Sequence, residues 1–211
     1  MAGPPAVSYD EALARARALA SAGGRRLLGL TGMPGAGKST VAARLVEDLG
    51  GMAVLVPMDG FHLANAELVR LGRRDRKGSP DTFDSAGYVA LLRRLREPEA
   101  GVTVYAPMFT RDLEEPVAGA IPVAAEVPLV VTDGNYLLVS EGQWSEVGRL
   151  LDEAWYVEAD DSLRLSRLVA RHAAFGKSPA VALSWATGSD QANAEVVRRT
   201  RDRADLIVLW G

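Results

Sequence analysis

Apolar residues occur along the chain in short continuous runs, separated by stretches with helical spacing. "RRLLGL" (25–30), "MAVLVPM" (52–58), "EVPLVVTDGNYLL" (126–138), "EAWYVEA" (153–159) and "ADLIVLW" (204–210) read as strands, and "GVTVYAP" (101–107) adds a shorter one. Between them, residues 8–21, 37–51, 63–72, 85–97 and 162–175 carry apolar positions three and four apart, several ending at glycine, and read as helices. Residues 73–84 are polar and charged, and a loop rich in proline and acid runs through Pro122. Strands too continuously apolar for burial on one side, alternating with helices, predict a mainly parallel sheet covered on both faces. The expectation is a single three-layer α/β/α domain over residues 1–211, its leading helix within 1–23.

Length fits that expectation, because 211 residues build one substantial core and leave little for a second. Net charge of −3 gives no general attraction to nucleic acid or anionic membrane, so neither is expected as a partner. There are no cysteines, which excludes disulfides and thiolate metal sites. With no signal-like segment and no run approaching the roughly 18–20 apolar residues of a membrane span, a cytoplasmic protein is expected. Oligomeric state is not encoded in any visible pattern. Arg outnumbers Lys 21 to 3, so each lysine stands out.

One of those lysines closes Gly32-Met33-Pro34-Gly35-Ala36-Gly37-Lys38-Ser39, followed by Thr40, which fits G-x-x-x-x-G-K-[ST] between a strand and a helix. Glycines let successive backbone N–H groups turn inward around an anion, and the helix start adds its positive end. Lys38 is placed to reach the β- and γ-phosphates of ATP, and the Ser39 hydroxyl to ligate Mg²⁺. The bland alternative is a glycine-rich turn, but the strand–loop–helix context favours a triphosphate cradle.

Two acids follow buried strands, at the edge where open α/β sheets bind ligands. Asp59, in "VLVPMDGFH", suits a base for an attacking hydroxyl or a water-mediated Mg²⁺ contact; the lesser reading is a helix cap or Asx-turn before the 63–71 stretch. Asp133, in "PLVVTDGNY", suits a Walker B carboxylate acting on the metal, although Asp-Gly is also a turn dipeptide.

Taken with "GMPGAGKST", "PMDGFHL", "SPDTFDSAGY", "YAPMFTRDLEEPVAGAIPV", "VTDGNYLL", "RLVARH" and "ADLIV", these residues resemble the P-loop small-molecule kinases grouped with uridine kinase, bacterial pantothenate kinase and phosphoribulokinase. The resemblance runs from Gly29 to the end. It implies a P-loop NTPase fold with a small helical lid at about 160–188, ATP and Mg²⁺ as cofactors, and a hydroxyl-bearing small molecule as acceptor. It further implies that Asp59 is the catalytic base or a metal-associated acid, that Asp81 and Phe83 border the acceptor together with Arg111 and Glu114, and that Arg167 and Arg171 close over the phosphates. Relatives often carry Glu where Asp133 stands, so a metal contact here could pass through water.

Plainer roles compete. Asp84 or Ser85 could cap the next helix with Phe83 packed on it. Arg73, Arg74, Arg76 and Lys77 could be a solvated loop or could steer an anion. Arg164, Arg167 and Arg171 share a helix face and could simply be its outer side. His62 suits a substrate hydroxyl or a packed loop, and neither histidine has a partner at zinc spacing. No [NT]-K-x-D guanine motif or transporter-ATPase signature occurs. The reading is an ATP-dependent kinase of a small-molecule hydroxyl (nucleoside, sugar or pantothenate-like alcohol), the alternative being a nucleotide-binding regulator or slow NTPase.

Overall fold

The computed structural model describes residues 3–176 and 178–211. Its centre is a six-stranded sheet of β1 (Ala6–Val7), β2 (Arg26–Thr31), β3 (Ala53–Leu55), β6 (Leu129–Asp133), β7 (Glu153–Glu158) and β8 (Leu206–Leu209). The order is β1-β8-β7-β2-β6-β3, and every pairing is parallel. A separate antiparallel hairpin pairs β4 (Val104–Thr110) with β5 (Glu115–Val123).

Side chains alternate across the sheet as the strand repeat requires. Leu28, Leu30, Val131, Trp155 and Val208 face α1 (Tyr9–Ala20) and α2 (Lys38–Leu49). Leu27, Val130, Tyr156 and Ile207 face the opposite layer, which holds α4 (Ser85–Arg96), α5 (Val147–Leu150) and α8 (Ser189–Arg198). Apolar side chains on both faces explain why these strands read as unbroken runs, and the three-layer expectation holds. Gly29 allows close layering, because a Cβ there would come within 2.5 Å of Leu151 Cδ1.

Local chemistry fixes the helix starts. Ser8 and Glu11 form a reciprocal capping box on α1. Asp84 accepts from the Gly87 N–H at 2.8 Å to start α4, so its role is the cap. Asp160 opens α6 (Asp161–Ala174) in the same way, and Ser178 opens α7 (Pro179–Thr187), with Pro179 in its first turn.

The structure corrects the sequence reading in several places. The proline- and acid-rich stretch expected as a loop is mostly β5; the turn before it uses Glu114 at φ 53°. Its prolines are tolerated because a two-stranded hairpin leaves backbone groups unpaired. Helix α3 is confined to Asn65–Arg70, and β3 is only three residues long. Strand β1, paired with β8, and helix α8 were not anticipated. No helix among the described residues is long and apolar enough to cross a membrane.

Candidate active site

The glycine-rich loop leaves β2 at Thr31 and enters α2 at Lys38, as its motif requires. Its shape depends on missing side chains. Gly35 (φ +82°) sits so close to α6 that a Cβ would lie 2.6 Å from the Arg164 carbonyl oxygen. Gly37 (φ +96°) would place one 2.6 Å from Cδ1 of Trp210. Positive φ and near contact both exclude other residues. The glycines thus let the loop turn tightly between α6 and Trp210, a shape that suits a polyphosphate.

Lys38 is only 9% exposed, and burial lowers its ammonium to about 8 against the opposing pull of Asp133 and Asp59. Its Nζ donates to the Met33 carbonyl at 3.2 Å, so the loop's own backbone holds it. Ser39 Oγ lies 2.6 Å from Oδ2 of Asp133 and donates to it. Asp133 is 5% exposed, and its other oxygen, Oδ1, has no hydrogen-bond partner. Burial raises this carboxyl above its ordinary range. A buried, half-satisfied carboxylate beside a hydroxyl fits a hard divalent cation such as Mg²⁺.

Asp59 lies in a short 3₁₀ turn after β3 and lines the same cavity as Lys38, Ser39 and Asp133. It does not cap α3, whose N-cap is Ala64. His62 Nδ1 is 2.8 Å from the Asp59 carbonyl oxygen, an acceptor only, so Nδ1 carries the hydrogen and Nε2 remains an acceptor. Desolvation pushes His62 below its ordinary range, keeping it neutral. Its ring is wedged between Phe83 and Phe109, with centroids 4.0 and 4.8 Å away. Gly60 lets the hairpin close over this turn, since a Cβ would strike the Pro107 carbonyl.

The cavity measures about 470 Å³ and joins Lys38, Ser39 and Asp133 to Asp59, His62, Phe83, Arg111, Glu114 and Arg171. Asp81 is not among its lining residues: its carboxylate is held by Arg73 and Arg76, so the sequence expectation for it gives way to an ion-paired loop position. The three arginines of α6 separate. Arg164 is buried (3% exposed), its Nη1 reaching the Pro34 carbonyl at 3.3 Å and its Nη2 reaching Gln191 at 2.7 Å. Arg167 Nη1 comes within 3.5 Å of the Ala36 carbonyl, beside the cradle. Arg171 lines the cavity 3.8 Å from Asp190, which also meets His172 at 2.7 Å. An outer basic face is thereby excluded for Arg164, which packs inward.

Sequence reasoning did not single out Phe109, Phe175, Trp185, Asp190 or Asn193, which also line the cavity. No motif marks them; only the packing of the hairpin and of α6–α8 brings them in.

The phosphoribulokinase/uridine kinase family model matches residues 27–210. The chain belongs to this family. A Schizosaccharomyces pombe protein named provisionally as a uridine kinase is 33% identical, over 98% of this chain and 86% of its own. A pantothenate kinase of Clavibacter michiganensis is 30% identical over 86% of this chain and 65% of its own. Among solved structures, a Silicibacter protein named provisionally as a fructose transport system kinase superposes with a TM-score of 0.80. It is 37% identical and covers 89% of this chain and 90% of that one. The fold is that of the P-loop kinases, and the chain is a small-molecule kinase of an ATP-using family.

Proposed function

We propose that this kinase transfers the γ-phosphoryl group of ATP, with Mg²⁺, to a hydroxyl of a nucleoside, a sugar or a pantothenate-like alcohol. The observation that carries the reading is Asp59. Its carboxylate takes no hydrogen bond from the described residues, yet it shares a cavity with the phosphate cradle. A carboxylate there can accept the acceptor hydroxyl's proton as its oxygen bonds to the γ-phosphorus and the bond to ADP breaks.

Other roles follow from position. Lys38 and the loop N–H groups hold the phosphates. Ser39 and Asp133 would hold Mg²⁺, which when bound neutralises charge on the β- and γ-oxygens. Arg171, and Arg167 beside the cradle, meet charge developing on the transferred group. Helices α6 and α7 act as the lid; water excluded by its closure cannot compete with the acceptor. His62 and Phe83 wall the acceptor's end, with Arg111 and Glu114 at its rim.

The test is ADP release with ATP and Mg²⁺ over a panel of nucleosides, sugars and vitamin-like alcohols, with products identified by mass spectrometry. Stimulation by one acceptor with a phosphorylated product is expected. ATP binding without stimulated turnover across the panel would overturn the reading.

A further inference from the structure

The basic stretch 73–77 reads from sequence as a solvated loop or an anion-steering patch; in the structure its one lysine is neither. Lys77 Nζ donates to Asn65 Oδ1 at 2.8 Å and to the Glu114 carbonyl oxygen at 2.5 Å. It also lies 5.0 Å from the centroid of the Phe109 ring. An ammonium has three donors and no acceptor, so two of the three are spent on protein oxygens. Those oxygens belong to α3 and to the turn between β4 and β5.

That turn is where the hairpin is strained. Among the described residues, Glu114 alone combines a side chain with a positive φ, 53°. Such a residue persists where its surroundings fix it. Lys77 Nζ and Asn65 Nδ2, the latter at 3.1 Å, both donate to the Glu114 carbonyl. The Glu114 N–H donates to the Arg111 carbonyl at 3.2 Å. One residue on, the Glu115 carboxylate accepts from the Asn65 backbone N–H at 2.8 Å.

Lys77 reaches the turn from an anchored base. The Gly78 carbonyl accepts from the Tyr136 hydroxyl at 2.5 Å and from Asn193 Nδ2 at 3.4 Å, and the Gly78 N–H donates to Thr82 Oγ1 at 2.9 Å. Tyr136 stands just past the end of β6, and Asn193 lies in α8. Through Lys77, the turn carrying Arg111 and Glu114 is tied to the frame that ends in Asp133.

Resting on the kinase reading above, we propose that Lys77 is a positioning residue for phosphoryl transfer. It fastens the hairpin turn without touching substrate, so that Arg111 and Glu114 meet the acceptor in one fixed arrangement. A turn released from it samples many arrangements, and the acceptor binds only the competent ones. Apparent acceptor affinity then falls by the competent fraction, while the ATP side is unaffected.

The experiment uses Lys77→Met, which removes both donors and keeps an apolar stem. Amide hydrogen exchange in the protein without ligands is expected to speed up about tenfold or more over residues 111–116, with residues 38–49 of α2 unchanged. In ADP release with the acceptor that the panel identifies, acceptor KM is expected to rise about tenfold with KM for ATP unchanged. Lys77→Arg is expected to recover part of both effects. Asn65→Ala, which removes the second donor to the Glu114 carbonyl, is expected to act in the same direction and serves if Lys77→Met folds poorly.

Unchanged exchange over 111–116 would overturn the proposal, even with a raised acceptor KM, because Lys77 would then be a direct substrate contact. Exchange accelerated equally in α2, or an unchanged acceptor KM in a variant with a loosened turn, would overturn it too. If no member of the panel stimulates turnover, the kinase reading fails by itself. Exchange then judges the clamp alone: acceleration confined to the turn supports it, and none sinks it.

Discussion

Ser39 and Asp133, 94 residues apart in sequence, meet at 2.6 Å where α2 begins and β6 ends. The parallel pairing of β2 with β6 sets this meeting, since it brings Leu30 level with Asp133. Oδ1 of Asp133 stays unpartnered beside it. Replacing Asp133 with Asn retains a group that can accept from Ser39 but removes the buried charge. The expected result is a loss of about a hundredfold or more in Mg²⁺-dependent turnover. A Mg²⁺ titration of ADP release in Asp133→Asn measures it; an unchanged titration would remove Asp133 from the metal site.

Asp59→Asn addresses a different step. ATP affinity is expected to stay near the wild-type value while phosphoryl transfer falls about 10²–10⁴-fold, the range for losing a general base. Calorimetry for ATP and single-turnover transfer separate the two effects. Rapid transfer by the variant would reassign the proton acceptor.

Lys38 makes the site sensitive to pH. Its folded-state value near 8 lies below that of an unfolded lysine, so in the free protein its ammonium destabilises the fold at neutral pH. That penalty fades as pH rises through 8 and towards the unfolded value. Bound phosphates favour the ammonium and raise it again. ATP binding is therefore expected to take up a proton above pH 8 and to weaken there by up to about tenfold per pH unit. Calorimetry in buffers of different ionisation heat, run from pH 7 to 9.5, reads the uptake directly.

Arg164 joins the cradle to the helices around it through Pro34 and Gln191. Arg164→Met leaves buried polar partners unsatisfied, at about 1–3 kcal/mol each. For a chain of this length each kcal/mol corresponds to roughly 2–4 °C in melting temperature. A drop of several degrees is expected, with a raised KM for ATP and a smaller change in kcat. An unchanged melting curve would show that the contacts contribute little.

The sequence displayed the phosphate loop and its neighbouring acids far better than the walls of the cavity. The cradle was readable because Gly35, Gly37, Lys38 and Ser39 are constrained by backbone conformation and phosphate chemistry at fixed spacing. Asp133 was readable because it ends a continuous apolar run. The hairpin was not, because Pro116 and Pro122 mask β5 as a loop. Helix α7, "PAVALSWAT", is apolar almost all round and offers no contrast at helical spacing, and α8 follows it after a single residue. Asp81 misled because its order beside Phe83 is local, whereas its ion pairs with Arg73 and Arg76 are decided by how the loop folds back.

The chain leaves the central sheet after β3 and returns to it at β6, the strand lying next to β3. Everything between, residues 56–128, is an excursion, and it supplies Asp59, His62, Arg74, Lys77, Phe83, Phe109 and Arg111 to the cavity. The phosphate cradle lies outside it. One uninterrupted cassette thus supplies these residues to the cavity, so a related kinase could reshape that part of it by replacing the cassette while every strand register of the nucleotide-binding frame stays as it is.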